Sequence, residues 1–358
     1  MKGASPSLRP ALLYLSISDG LDSRTNKEIA TLSRSFTIDY LGVSATGQRP
    51  FFAEQVRRIE LIPGRTRSAK TLFRLAGRII AHLCRNRYAS VHVVNEDLYL
   101  LYLPLLIGQR IVLDIFDSSF LKWRMPRWVI ALGQRVSYAL PAKIIVTDDE
   151  RAGLMPGYAQ PKLAVIPNYP FRYAGPFHSR EPGVVRVYYT GSLSARRGTN
   201  FIAQLLAAAE DVRVVMTGWI RDEATQQLST HPRVEWLGLV TQEQSIELAT
   251  RCDFILCHYE PSNINNIYAS PNKIYDAIQA GCAVIINPEV RVSRFVREQG
   301  LGVVLDAYAP ADFAKVAQSL RDFKTGYKPN PALRAGFLWE TVEPQLLAAH
   351  GASATPAS

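Results

Sequence analysis

Lys273 and Asp276 stand one helical turn apart in the stretch EPSNINNIYASPNKIYDAIQAGCAVIIN. An ammonium group and a carboxylate at this spacing suit a ligand that carries a phosphate beside a sugar hydroxyl, since the first pairs with an anion and the second accepts hydroxyl protons. The positions of Ile274, Ala277 and Ile278 predict a short helix from Asn272 to Ala280, which Gly281 ends, between the apolar strands CDFILCHY and CAVIIN. The loop 261–271 therefore leaves a strand and feeds a helix amino terminus. Free N–H groups and the helix dipole favour an anion there, and open α/β sheets bind ligands at such strand ends. Ser270 and Asn272, at the mouth of the helix, can order the phosphate or the sugar.

A second basic motif lies upstream. The strand VVRVYYTG runs into SLSARRGTNFIAQLL, so Gly191 permits a tight turn and Arg196–Arg197 precede Gly198 and a new helix. Guanidinium groups and helix N–H groups can converge there on a diphosphate. Gly218 ends the strand VRVVMTG, either to let the backbone approach a nucleotide or simply to turn. In the first half, Asp117 follows the strand RIVLDIF, where it can face a substrate or cap the helix that begins near Ser119. Asp19 and Arg24 flank the loop DGLDSR after the first strand; a ligand role and ordinary capping by Asp22 or Ser23 both fit.

The elements that must carry these residues alternate strand and helix. ALLYLSI, FTIDYLGV, RRIELI, ASVHVVN, RIVLDIF and AKIIVT read as strands of one parallel sheet, and VVRVYYTG, VRVVMTGWI, VEWLGLV, CDFILCHY, CAVIIN and GLGVVLD as those of a second. A length of 358 residues suits two domains. We place the first at 1–170, a Pro- and aromatic-rich linker at 171–183, the second at 184–325, a crossing segment with a final helix at 326–350, and a disordered tail at 351–358. Thr147 with Glu150, and Thr241 with Gln244, have the spacing of capping boxes.

Charge is unevenly spread. Lys and Arg outnumber Asp and Glu by 25 to 13 in residues 1–180, whereas 16 face 18 in 181–358. Residues 49–87 hold ten basic side chains against Glu54 and Glu60 alone, and on the helix expected from Arg67 to Arg85 a basic stripe of Arg67, Lys70, Arg74 and Arg78 runs beside an apolar one. That surface asks for an anionic partner, a membrane or a lipid diphosphate acceptor; a solvated face of a core helix is the plainer alternative. Nucleic acid is not expected, because the stretch contains no recognised module. ALLYLSI is too short to span a bilayer, so a cytoplasmic protein, peripheral on the inner face of the membrane, is expected. The four cysteines lack metal or redox spacing.

SPNKIYDAIQAGCAVI resembles the donor-binding motif of GT-B glycosyltransferases, especially the family 4-like group, in which an acidic residue early in this helix binds the nucleotide ribose. Asp276 takes that place. Tyr268 stands where the family has a second carboxylate that contacts the transferred sugar, Phe116 where a histidine is common, and Ser192 where a basic residue follows the first glycine; Arg197 matches the family's second basic residue. The resemblance implies an α/β GT-B fold, with two Rossmann-like parallel-sheet domains facing an interdomain cleft and a C-terminal helix, FLWETVEPQLL, crossing back to the first. It implies a hexosyltransferase-type enzyme that moves a sugar, with retention, from a nucleotide-diphosphate sugar to a lipid-linked or saccharide acceptor in bacterial surface-polysaccharide biosynthesis. No DxD-like acidic pair is evident, so neither metal nor cofactor is expected, and Arg196, Arg197, Lys273 and the helix start would meet the charge on the leaving diphosphate. Two alternatives remain: a GT-B sugar-nucleotide epimerase, and a non-catalytic basic membrane- or polyanion-binding protein on a GT-B scaffold.

Overall fold

A computed structural model describes residues 9–65, 68–122 and 125–352. They fall into two compact units, Met1–Pro167 with Glu340–Ser358, and Asn168–Trp339. The first unit is built on β1 (Ala11–Leu15), β2 (Thr37–Ser44), β3 (Arg58–Pro63), β4 (Ser90–Val94), β5 (Ile111–Ile115), β6 (Lys143–Val146) and β7 (Leu163–Val165). These pair in parallel in the order β3-β2-β1-β4-β5-β6-β7. Their central runs, such as SVHVV and IVLDI, are buried along their whole length, as a sheet covered by helices on both faces requires. β7 was not expected; its three residues, close after Pro161, are too few to show a period.

The second unit repeats the plan with β8 (Val185–Leu193), β9 (Val212–Ile220), β10 (Val234–Trp236), β11 (Phe254–Cys257), β12 (Ala283–Ile286) and β13 (Gly302–Val304), parallel in the order β10-β9-β8-β11-β12-β13. Each sheet reverses its direction of growth once, between β1 and β4 and between β8 and β11. Such switch points open a crevice at the carboxyl ends of the two strands, because the loops leave to opposite faces.

The helix Glu343–Ala349 returns to the first unit and packs on the helix Ser23–Leu32. Glu343 fixes it, accepting hydrogen bonds from Thr31 at 2.9 Å and Arg34 at 2.8 Å, and Leu346 is fully buried. The stretch 171–183 lies within the second unit, where Tyr173 meets Phe177 edge-on and Arg180 donates to the Gly281 carbonyl. The helix Pro331–Gly336 joins the same unit, with Arg334 donating to the Tyr173 carbonyl. Capping differs at one expected box: Asp148, rather than Thr147, caps the helix Asp149–Gly153 by accepting from the Arg151 amide, while Thr147 donates to Asp148. The Thr241–Gln244 box is formed. Residues 353–358 of the tail lie outside the described residues.

Candidate functional site

The chemistry of the second unit gathers at its switch point. β8 and β9 stay in register to their ends, so Gly191 and Gly218 are partners. Gly218 has φ +125°, and a Cβ there would overlap the Gly191 carbonyl oxygen. A Cβ on Gly191, itself at φ +96°, would come within 3.5 Å of Lys273 Cε. Gly191 is thus bare backbone beside the Lys273 ammonium, and Gly218 packs its own backbone against that of Gly191. Gly218→Ala is expected to lower the stability of the unit by more than about 2 kcal/mol, through φ strain and overlap together, read as a fall in its thermal midpoint.

Lys273 sits in the first turn of the helix Asn272–Ala280, whose N-cap, Pro271, brings no capping side chain. This leaves the helix mouth to the backbone, the arrangement that favours an anion. The Lys273 ammonium lies 5.9 Å from the ring centre of Tyr259, and the Arg197 guanidinium lies 4.8 Å from the same ring. Burial pulls the Lys273 ammonium down to about 8; nearby Arg197 acts in the same sense, while Cys257 and Asp276 oppose it. Two cations crowded on one aromatic ring, one of them short of water, form a site that an anion would relieve. Tyr259 is held by Asn287, whose side-chain oxygen accepts from the Tyr259 amide at 2.9 Å and whose amide donates to the Tyr259 carbonyl at 3.1 Å. Asp276, buried one turn beyond Lys273, accepts from Gln242 at 3.2 Å.

Other expected residues of this group are placed less centrally. Ser270 and Asn272 are half-buried at the helix mouth. Arg196 is exposed and turned to Glu260 at 3.6 Å, so the basic pair is split and Arg197 alone reaches Tyr259. Ser192 accepts from Arg221 at 3.3 Å, which puts a guanidinium beside the position that lacks a basic residue of its own. Tyr268 carries the Arg291 guanidinium over its ring at 4.5 Å. Sequence reasoning missed Tyr259, Asn287 and Gln242. The first two end buried strands next to a polar loop, a signal that was present; Gln242 lies in another helix 34 residues away and gave none.

In the first unit, Asp117 is half-exposed and paired with Lys122 at 3.2 Å and more loosely with Arg151 at 3.8 Å. At the start of the helix Ser119–Lys122, Glu96 receives the Ser119 amide at 3.0 Å. The loop bearing Asp117 is clamped by Asn95, whose side-chain oxygen accepts from the Phe116 and Asp117 amides at 2.9 and 3.1 Å. Asn95 adopts φ +64° and ψ 156°, a conformation that only glycine enters without strain. Asp19 is half-buried in the loop after β1 and accepts from the Leu21 amide.

Arg24 corrects an expectation. It is buried inside the helix Ser23–Leu32 and not in a ligand-facing loop, with its guanidinium held by Asp114 at 3.0 Å, by Glu28 at 2.9 Å and by the Ile166 carbonyl at 2.9 Å. Among the described residues, Glu28, His92 and Asp114 form the one cluster of three side chains that could ligate a metal, and Arg24 already supplies a positive charge to both carboxylates. On the helix Ala69–Arg85, Lys70, Arg74 and Arg78 are exposed, and Arg78 donates to Glu60 at 2.8 Å; Arg67 lies outside the described residues.

No protein-family model matches the chain. No curated protein is similar to it in sequence. Solved structures are similar throughout. That of Anabaena Alr3699/HepE in complex with UDP and glucose superposes with a TM-score of 0.66 at 11% identity, covering 95% of this chain and 98% of that one. The chain has the GT-B fold. Sucrose-phosphate synthase from Thermosynechococcus elongatus gives a TM-score of 0.66 at 14% identity over 94% of this chain and 97% of its own. A putative UDP-N-acetylglucosamine 2-epimerase from Listeria monocytogenes gives 0.63 at 10%, over 98% and 99%. At these identities the GT-B fold is the common ground of all three.

Proposed function

We propose that the protein is a glycosyltransferase that takes a sugar from a nucleotide-diphosphate donor bound in the second unit. The observation that carries this reading is the meeting of Arg197 and Lys273 at Tyr259 with Asp276 one turn on, a pair of cations followed by a hydroxyl acceptor. Negative charge grows on the diphosphate as the glycosyl bond breaks, while the sugar becomes oxocarbenium-like. Arg197, Lys273 and the N–H groups of the helix mouth are fixed before reaction, so they stabilise that charge without reorganising. Asp276 accepts from the ribose hydroxyls. Gly191 and Gly218 let the nucleotide lie against backbone. The chain's own cations meet the leaving charge, and no metal takes part. Arg291 on Tyr268 supplies charge where the related family has a carboxylate, and retention of configuration follows from family likeness alone.

The acceptor is a lipid-linked or saccharide hydroxyl in bacterial surface-polysaccharide assembly at the inner face of the cytoplasmic membrane, with Asp117 as the acid–base candidate of the first unit. The HepE and epimerase likenesses support the nucleotide site equally, so the reaction class needs its own test. Titration calorimetry with UDP, GDP, ADP and CMP, without added metal, is expected to show one diphosphate binding and Asp276→Ala weakening it about tenfold or more. Absence of binding at millimolar concentration would remove the reading. With the base known, release of free nucleotide from the matching donor without C2 epimerisation separates transfer from epimerisation.

A further inference from the structure

Three helices of the first unit present an outward face that its core does not use. The crossovers β3 to β4, β4 to β5 and β5 to β6 all move the same way across the sheet, so their right-handed helices share one side. These are Ala69–Arg85, Glu96–Leu106 and Arg127–Ala139, and each packs on the next. Of the fourteen large apolar side chains that are exposed among the described residues, eight lie on these helices or at their ends. Phe73 is 82% exposed, Trp128 72%, Ile107 71%, Leu140 61%, Leu132 57% and Leu101 50%. Folding does not require them there. The helix Arg127–Ala139 is held from its other side, by buried Ser137 and Tyr138, while Trp128 and Leu132, one turn apart, point away from the core.

Charge decides what would cover this face. The helices Ala69–Arg85 and Arg127–Ala139 together hold six lysines and arginines and no carboxylate, and the helix between them adds only buried Glu96 and half-buried Asp97 at its first turn. Arg127 and Arg135 flank the Trp128–Leu132 pair, and Lys70 and Arg74 flank Phe73. Aromatic and aliphatic side chains set among long cationic ones match the boundary of an anionic bilayer, where rings and chains enter the acyl edge while guanidinium groups stay at the phosphates. Among the described residues no helix is long and apolar enough to cross a membrane, so the contact would lie in the interface plane. We infer that this three-helix face docks the protein on anionic lipid, with Trp128 and Leu132 as its apolar anchor. The inference widens the basic-helix reading to a whole face and does not depend on the donor site.

Vesicle flotation tests it, with phosphatidylcholine vesicles with and without phosphatidylglycerol. The full chain is expected to float with the anionic vesicles only, less so as salt rises. Trp128→Glu/Leu132→Glu and, separately, Arg127→Glu/Arg135→Glu are expected to lose at least about tenfold in partitioning. Arg294→Glu/Arg297→Glu, with the same charge change on the exposed helix Ser293–Glu298 of the second unit, should float as the parent does. Thermal midpoints, and titrations with whichever of UDP, GDP and ADP the parent binds, run alongside confirm folding and report the donor site independently. The inference is overturned if the parent ignores anionic vesicles at low salt, or if either double variant floats unchanged. It is overturned in favour of a second copy of the chain if light scattering shows a dimer that Trp128→Glu/Leu132→Glu dissolves.

Discussion

Lys273→Ala is expected to weaken binding of the matching nucleoside diphosphate by about 10- to 100-fold, and Arg197→Ala by a similar factor. Hydrogen bonds to charged groups contribute about 1.5–3 kcal/mol, and both cations are set on the ring of Tyr259 before any ligand arrives. In turnover the loss should be larger, about 2–4 kcal/mol in the barrier, because leaving-group charge is greatest in the transition state. The pH dependence identifies Lys273 as the source. Burial leaves its ammonium titrating at about 8 in the free protein, and a bound diphosphate raises that value by favouring the charged form. Below pH 8 the group is protonated before and after binding, so it adds no slope. Above pH 8 the free protein must take up a proton to bind, and affinity should fall by up to about tenfold per pH unit. Calorimetry in two buffers of different ionisation enthalpy reads this as proton uptake at alkaline pH. Lys273→Arg keeps the charge but titrates far above the range, so its profile should be flat where the parent's falls. Coincident profiles would detach the site from Lys273. Ionisation of the phosphate itself is common to both proteins and cancels in the comparison.

The pattern that made the donor region legible is local. Strand, glycine, basic pair, glycine and helix follow one another within a dozen residues, and SPNK opens a helix whose apolar spacing is clear, so twelve strands and the helix Asn272–Ala280 could be read from periodicity. What escaped is long-range. DGLDSR reads as a polar loop, yet Arg24 is drawn inside by Asp114, ninety residues away, and a buried carboxylate pairing with a distant arginine leaves no mark on either sequence neighbourhood. Asp117 was legible as a strand-end acid, but its clamp depends on a strained Asn95 just past the neighbouring strand β4, and no propensity rule places an asparagine in a glycine conformation. Composition and spacing do not separate Arg196 from Arg197, and in the sequence the family resemblance alone singles out Arg197. Only the 3-10 turn Ala195–Arg197 decides that one faces Tyr259 and the other Glu260.

The same internal network yields a second large effect, on stability. Ser90 Oγ lies 2.8 Å from His350 Nδ1, His350 Nε2 lies 3.1 Å from His92 Nδ1, and His92 Nε2 faces Glu28 at 3.4 Å and Asp114 at 3.7 Å. With a proton on each Nε2, Ser90 donates to His350 and His350 donates to His92, and both imidazoles are neutral. Burial holds them so: His350 is pulled down to about 3, with Arg110 acting in the same sense, and His92 is pushed well below its usual range by burial, His350 and Arg24. An unfolded chain titrates these groups near 6.5. Below that pH the unfolded state binds more protons, so stability present at pH 7 falls as pH drops towards 3, by about 1.4 kcal/mol per unit for each imidazole. For His350 alone this reaches about 3 kcal/mol by pH 4. Glu28, raised well above the carboxylate range first by burial and then by Asp114, works in the opposite direction over the acid range and is unchanged in the comparison that matters. His350→Gln should therefore be less stable than the parent at pH 7, because Ser90 and His92 lose a partner, but should lose stability on acidification with a slope smaller by about one proton. Urea unfolding of both proteins at pH 7.5, 5.5 and 4 measures it. Parallel acid slopes would mean that His350 is solvated, and that the C-terminal helix Glu343–Ala349 is held by Glu343 and Leu346 without the imidazole pair.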